Sequence, residues 1–529
     1  MKNAQKWQRK ALVFGIWGFL SLFLLLPLAK LVLASFQNWD ASFFDALMAR
    51  ALYHTLGTAA LATLAAVVLG WALAYVLCHG VLPLKRLLMI IFIMPIFVPT
   101  ITHGSGLIML FGNNGLLTHL LRLKHTIYGF NGIVLGLFLC SFPIAFIMFA
   151  NIFRYEDIRA YEAADVLGVS RFRQFTGLSM PYTFKSVTSV ACAVFALNLT
   201  DYGIPFIVGG KCKTLAVIMY HEAVGLSDSL RGLMISLVFL LIAAPLFLLE
   251  LKSTTRWESH DAKHTKRPLI KSKAANAGFA IFALLIALFI LFYMGNFFRL
   301  AFIQYPYSLN ITPANFISTL GAKGAAYWAH SIFISAGAAL GGVIASFVIA
   351  YYTARLQPTS KTVHIISLLP AAVPGLVLGL SYVLFFKNSP LYGGFAILML
   401  VNLIHFFAPA YLLAYNTMLK LNQNIENVGQ VFGIGRLKMI KDIIIPETRL
   451  TWLEIASYLF VNSMITISAV SFLAISGNKP LSLMIPQFEN QQQLGNIAVV
   501  SLLIFTTNLM VKLLLGLVAK KHQKNKIVI

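Results

Sequence analysis

The chain has 529 residues, of which 59% are hydrophobic and 11% charged, and 41 Lys+Arg against 17 Asp+Glu give it a formal net charge of +24. Soluble chains carry about 25% charge, so this composition excludes a water-soluble globule, and the same apolar excess excludes a disordered chain. What remains is an all-α polytopic membrane protein, whose basic excess is read as a topology signal and not as a nucleic-acid footprint.

The N-terminal cations Lys2, Lys6, Arg9 and Lys10 precede an apolar run from Ala11 to Phe36, too long for a secretion signal and read as a retained first helix. Further predicted helices lie near 55–78, 87–110, 132–153, 186–209 and 232–250. A basic stretch follows, with Lys252, Arg256, Lys263, Lys266, Arg267, Lys271 and Lys273, and then helices near 276–298, 331–354, 364–386, 393–417, 452–476 and 497–518. The count is about twelve, six plus six around one linker. With both termini placed in the cytoplasm, most basic residues fall in cytoplasmic segments. Lys30 and Lys512 fall within or near helix ends, where long side chains reach the interface. The four cysteines (Cys78, Cys140, Cys192, Cys212) contain no CxxC pair and imply neither a disulfide framework nor a metal site.

The two halves repeat. HTLGTAALATLAAVVLGWALAY from His54 to Tyr75 resembles HSIFISAGAALGGVIASFVIAY from His330 to Tyr351, and Pro95 and Pro99 recur as Pro370 and Pro374. Repeats of even helix number are related about the membrane normal, with a path for solute between them near the bilayer midplane. The proline pairs are expected to kink or break the third helix of each half.

The long polar loop after the fourth helix of each half is the most informative segment. It reads Glu162-Ala163-Ala164-Asp-Val-Leu-Gly168 before Pro181 in the first half, and Glu426-Asn427-Val-Gly429-Gln-Val-Phe-Gly433 before Pro446 in the second. Both Gly-to-Pro intervals are 13 residues (181 − 168 and 446 − 433). Ile158, Tyr161, Ala164 and Leu167 recur at helical spacing. Ala163, Ala164 and Gly429 are small enough to admit another surface, and Gly168 and Gly433 are placed to end the helix in a left-handed turn. The prolines are expected to start the next helix. Such a repeated module reads as a docking element.

Ionisable and polar groups inside spans are functional candidates. Here they are Asp201, Asn462, Ser463 and Thr466, assigned to the translocation path, or alternatively to helix–helix hydrogen bonds. His103, His330 and His405 are read as packed polar residues. No GxxxxGK[ST], HExxH or paired His/Cys spacing occurs, so the chain is not expected to act as an enzyme or to bind a metal.

The EAA–Gly–spacer–Pro pattern resembles the inner-membrane permeases of binding-protein-dependent ABC importers, here as two permease domains fused in one chain. The resemblance implies two type I permease repeats in a bacterial inner membrane. The division is 1–50 (N-terminal segment and first helix), 51–250 (first permease domain), 251–275 (basic linker), 276–328 (seventh helix and outer loop), 329–516 (second permease domain) and 517–529 (basic tail). It assigns Glu162, Ala163, Ala164, Gly168 and Pro181, with Glu426, Asn427, Gly429, Gly433 and Pro446, to coupling with a separate ATPase. Asn427 aligns with Glu162, and Glu426 is its neighbour. The implied partners are two ATPase subunits, an extracytoplasmic solute-binding protein and the lipid bilayer, with no nucleic acid. No cofactor is expected on this chain, and ATP belongs to the partner subunits. LLPAAVPGLVLGLSYVLFF, SYLFVNSMITISAVSFLA and TDYGIPFIVGG resemble 2-aminoethylphosphonate permeases, with ferric-iron permeases second and thiamine or polyamine permeases more distant. A secondary transporter of the major-facilitator type is the rival class. It would carry a GxxxD-(R/K)-x-G-(R/K) loop after the second helix, where this chain has HGVLPLKR.

Overall fold

The computed structural model describes residues 2–40, 43–122, 127–154, 156, 158–222, 229–253, 272–304, 310–356, 360–422 and 424–527. The linker cations Arg256, Lys263, Lys266, Arg267 and Lys271 lie outside them, as do the side chains of Lys2, Lys6 and Arg9. Among the described residues the chain is helical, with a single isolated bridge between Ile303 and Ile311.

Seven helices are long and apolar enough to cross a bilayer, and four bent pairs raise the number to as many as eleven. The expected twelve is therefore one too many by this measure. The segment that falls out is Ile445–Ile465, a helix where one was expected, but diluted by Glu447, Arg449, Glu454 and Asn462. The helix ends at Thr466, so the predicted span 452–476 stops well short of its end.

The proline pairs break the backbone as their chemistry requires. Lys85–Ile93 runs into a tight turn at Met94–Phe97, Pro99 caps the next helix, and Thr100–Phe111 leaves at a bend of 104°. Lys361–Leu368, Leu369–Ala372, Pro374 and Gly375–Phe386 repeat the arrangement at 108°. Proline offers no N–H and disfavours helix in the residue before it. Irregular backbone at this depth is tolerable only where protein surrounds it, and Pro95, Phe97, Pro370 and Val373 are buried.

The halves are interlocked. The first helix (Lys2–Leu20, a π-helical turn at Ser21–Leu25, then Leu26–Gln37) packs on Gly375–Phe386 of the second half. Lys273–Arg299, the first helix of the second half, packs on the broken helix of the first half. A tyrosine ties each crossing: Tyr382 donates to the Phe23 carbonyl at 2.7 Å, and Tyr293 to the His103 carbonyl at 2.8 Å. The last helix adds Thr102–Ser501 (2.8 Å) and an Asn508 bond to the Phe97 carbonyl. Lys30 and Lys512 do not simply reach for water. Their ammonium groups sit 5.9 Å from the Phe385 ring and 5.2 Å from the Phe97 ring, each across the boundary between halves, at cation–π distance.

Following the chain through the bundle places the start of Lys2–Leu20, the end of Leu494–Ile527, the start of Lys273–Arg299 and both short helices after the fourth helices on one face. His79 meets Phe153 there and Val81 meets Asn276. At the far face His54 meets Phe130 and the Lys213 carbonyl, and His330 meets Phe395 and the Lys479 carbonyl in the same way.

Candidate functional site

On the face with the start of Lys2–Leu20, Ile158–Val166 and Ile425–Val431 form two short helices. Each is closed by a glycine in left-handed conformation, Gly168 at φ 67° and Gly433 at φ 66°. The amide of the next residue reaches back five positions, Val169 to the Ala164 carbonyl (2.9 Å) and Ile434 to the Gly429 carbonyl (2.8 Å). This is the Schellman closure that satisfies the last helical carbonyls. It turns the chain back towards the membrane helices.

Pro181 and Pro446 stand in the first turn of Met180–Thr200 and Ile445–Ile465. Each follows a π-helical turn, Phe175–Ser179 or Ile440–Ile444, inside a helical run that starts at Arg171 or Arg436. The widened turn accommodates the bond that the proline cannot donate.

Side-chain orientation corrects part of the sequence reading. Tyr161 and Ala164 face inward and are buried, whereas Leu167, placed on the same face by spacing, is 79% exposed. Ala164 and Gly429 are both buried, and Gly429 faces the chain's own following helix. A Cβ on Gly429 would stand 2.9 Å from Met439 Sδ. At the position of Met439 (439 − 265 = 174) the first half has Gln174, which bonds to Asp165 and the Val169 carbonyl while Arg171 bridges Asp165 at 2.9 Å. Glu162, Ala163 and Asn427 are exposed. Glu426 is not an outward acid: it takes the place of Tyr161 (426 − 161 = 265) and turns inward to Arg355, whose Nε donates to its Oε1 at 2.8 Å.

Apart from Leu167, which spacing had picked out, the exposed residues that sequence reasoning missed are apolar. Val166 (88% exposed), Leu167 and Phe172 (76%) crown the first loop, and Val431 (82%), Phe432 (73%) and Leu437 (72%) crown the second at the same 265-residue offset. Water penalises such exposure, and matched patches of this kind mark contact surfaces. The available signal was three bulky apolar residues per polar loop at one common offset.

Of the four polar positions assigned to a path, Asn462, Ser463 and Thr466 share one helix end, where Thr466 bonds the Asn462 carbonyl. Asp201 ends Met180–Thr200 and caps Gly203–Val208 by accepting from the Ile204 amide at 2.9 Å. Thr466, its counterpart by position (466 − 201 = 265), bonds its own helix through the Asn462 carbonyl, and its own carbonyl accepts from Ser482. Asn462 donates to the Tyr458 carbonyl, and Ser463 accepts from Asn402 at 2.9 Å. Their visible bonds are intrahelical and interhelical. Removing the cap with Asp201→Ala should cost about 1 kcal/mol, read as a lowered unfolding temperature in detergent with Asp201→Asn falling between. Among the described residues no group of three or more His, Cys, Asp or Glu could hold a metal ion.

Residues 342–524 match the family described as "Binding-protein-dependent transport system inner membrane component". That stretch is a permease domain of this family. The chain is similar to the putative ferric transport system permease protein FbpB 1 of Haemophilus influenzae, 23% identical over 408 residues, covering 73% of this chain and 64% of the relative. It is 25% identical over 417 residues to the ferric transport system permease protein FbpB of Actinobacillus pleuropneumoniae, covering 73% of this chain and 59% of the relative. The matches thus span about three fifths of these two relatives. The molybdate/tungstate transport system permease protein WtpB of Thermococcus kodakarensis is 26% identical over 216 residues, 40% of this chain and 83% of that protein. These relatives are transport permeases and not enzymes. The matched stretch contains the short helix Ile425–Val431, Gly433 and the broken helix at Pro370 and Pro374.

Proposed function

We propose that the chain is the fused permease of an ABC-type importer, with both termini in the cytoplasm. Its two glycine-closed helices engage two copies of a separate ATPase, and an extracytoplasmic binding protein delivers solute to the opposite face. The observation that carries this reading is the pair of apolar crowns, Val166/Leu167/Phe172 and Val431/Phe432/Leu437, presented on one face by equivalent elements of both halves. Closure of the ATPase pair would push both elements together. The interlocked first helices and the broken third helices would then carry the movement to the far face. A facilitator that works alone has no use for two such knobs.

For the solute, the sequence segments favour a phosphonate such as 2-aminoethylphosphonate, and the ferric relatives, each aligned with 73% of the chain, support ferric iron equally. Both tests start from the intact chain. Affinity purification from native membranes should retain an ATP-hydrolysing subunit, and a chain that moves solute uphill without one would overturn the assignment. Cells lacking the gene should lose uptake of labelled 2-aminoethylphosphonate. Loss of labelled ferric iron uptake alone would transfer the assignment to iron.

A further inference from the structure

Each coupling helix is tied to the end of the long helix of its own half, and the two ties use different chemistry. The long helices are Ala46–His79 and Ala325–Tyr351, the latter continued by a π-helical turn at Tyr352–Leu356. Their residues correspond at an offset of 276 (330 − 54 and 351 − 75), which pairs His79 with Arg355. In the first half His79 Nε2 lies 2.9 Å from Glu156 Oε2, with both side chains about 5% exposed. The Tyr161 phenol donates to the other Glu156 oxygen, and Ser179 is 2.7 Å from the phenol oxygen. In the second half Arg355 binds Glu426 through Nε and Nη2 and donates to the Leu421 and Asn422 carbonyls at 2.9 and 2.7 Å. Leu421 stands where Glu156 stands in the first half (421 − 156 = 265). The acid has thus moved from the linker onto the helix, while a nitrogen-bearing side chain that binds it stands at the end of each long helix.

We infer that His79 and Arg355 are positioning residues that make each coupling helix move as one body with the long helix behind it. The inference rests on the docking reading above and assigns the parts that transmit the push. A buried charge pair contributes little net stability, because desolvation offsets its attraction, but it fixes geometry and leaves a costly orphan when one partner is removed. Arginine grips Glu426 and two carbonyls with a planar fork. His79 reaches Glu156 through Nε2 alone, its Nδ1 lying 3.2 Å from the Tyr75 carbonyl of its own helix, and it depends on Glu156 to pass the contact on to Tyr161, so the first lock is the weaker link. Its surroundings are closed on every side: Tyr75 and Phe153 rings stand 4.6 and 4.9 Å from the imidazole, and Tyr161 covers it at 6.4 Å.

The test uses the intact complex of this chain with its ATPase subunits in lipid nanodiscs, with the four native cysteines replaced by alanine. Spin labels at Leu120→Cys and Ile317→Cys, both exposed, report the far face. Trapping nucleotide with vanadate should shift the label separation in the otherwise unaltered chain. With His79→Leu, trapped nucleotide should stay stoichiometric while the fraction of molecules that shift falls about ten-fold, the size of a typical coupling between sites. His79→Arg should restore the shift, because a guanidinium reaches Glu156. Tyr161→Phe, which keeps the ring and removes one hydroxyl, should give an intermediate loss and serves if His79→Leu does not fold. A full shift in both His79→Leu and Tyr161→Phe overturns the locks alone. An otherwise unaltered chain that retains no ATPase overturns the docking reading and the locks together.

Discussion

Leu167→Asp combined with Phe432→Asp should strip the ATPase from the chain without disturbing its fold. Both side chains are largely exposed and make no contribution to either buried cluster, so the variant should keep its elution profile and unfolding temperature. Surface substitutions of this kind change stability by less than about 0.5 kcal/mol. Binding is different, because an apolar anchor seated in a partner's pocket is worth about 2 kcal/mol or more, and a carboxylate placed there adds a desolvation cost. Losing one anchor per half should weaken retention of the ATPase by about a thousand-fold. The measurement is the amount of ATPase recovered on the purified chain and its hydrolysis rate. Glu162→Gln, by contrast, should leave retention nearly unchanged, since a rim charge tunes encounter more than affinity. If the double aspartate variant retained its ATPase, the apolar crowns would not be the contact.

Much of this arrangement was legible because it rests on covalent constraints. Pro95/Pro99 and Pro370/Pro374 cannot continue a helix, and the structure breaks at both places with nearly equal bends. Gly168 and Gly433 can adopt positive φ without strain, and both do so. What spacing could not convey was the direction in which a short helix presents its side chains. A helix of nine residues has too few turns to define a stripe, so spacing grouped Leu167 with Tyr161 and Ala164 although it is exposed and they are buried. Glu426 was read only as the sequence neighbour of Asn427, the residue aligned with Glu162, and a neighbour in sequence is not a neighbour on the helix surface. Its partner Arg355 is 71 residues away, and nothing local announces the pair. The interlocked first helices also depend on contacts between halves that no window of sequence contains. Twelve apolar segments were countable, but the polar content of Ile445–Ile465 shows that a helix shielded by neighbours does not need to be uniformly apolar.

Gly70→Ala should be far more damaging than its one added methyl suggests. In a bilayer, helices gain little from hydrophobic exclusion, and close backbone approach carries their association. Ala62, Ala66, Gly70 and Ala74 form a buried row on Ala46–His79 at four-residue spacing. A Cβ on Gly70 would stand 2.7 Å from the Ala145 Cβ and 2.7 Å from the Phe146 backbone nitrogen, inside Phe130–Arg154. Neither atom is the end of a flexible side chain, so the whole helix would have to move, at about 3 kcal/mol for overpacking of this kind. The second half repeats the row as Ala338, Gly342, Ser346 and Ala350, the residues 276 positions further on. There the atom in the way of a Cβ on Gly342 is the Leu459 Cδ1, at the end of a side chain that can change rotamer. Gly342→Ala should therefore cost less than about 1 kcal/mol, a side-chain adjustment. Thermal unfolding in detergent should separate the two variants clearly, with Gly70→Ala also losing yield from the membrane. Equal unfolding temperatures would mean that the long helix is not held by backbone contact in the first half, and the rigid transmission argued from His79 would lose its mechanical support.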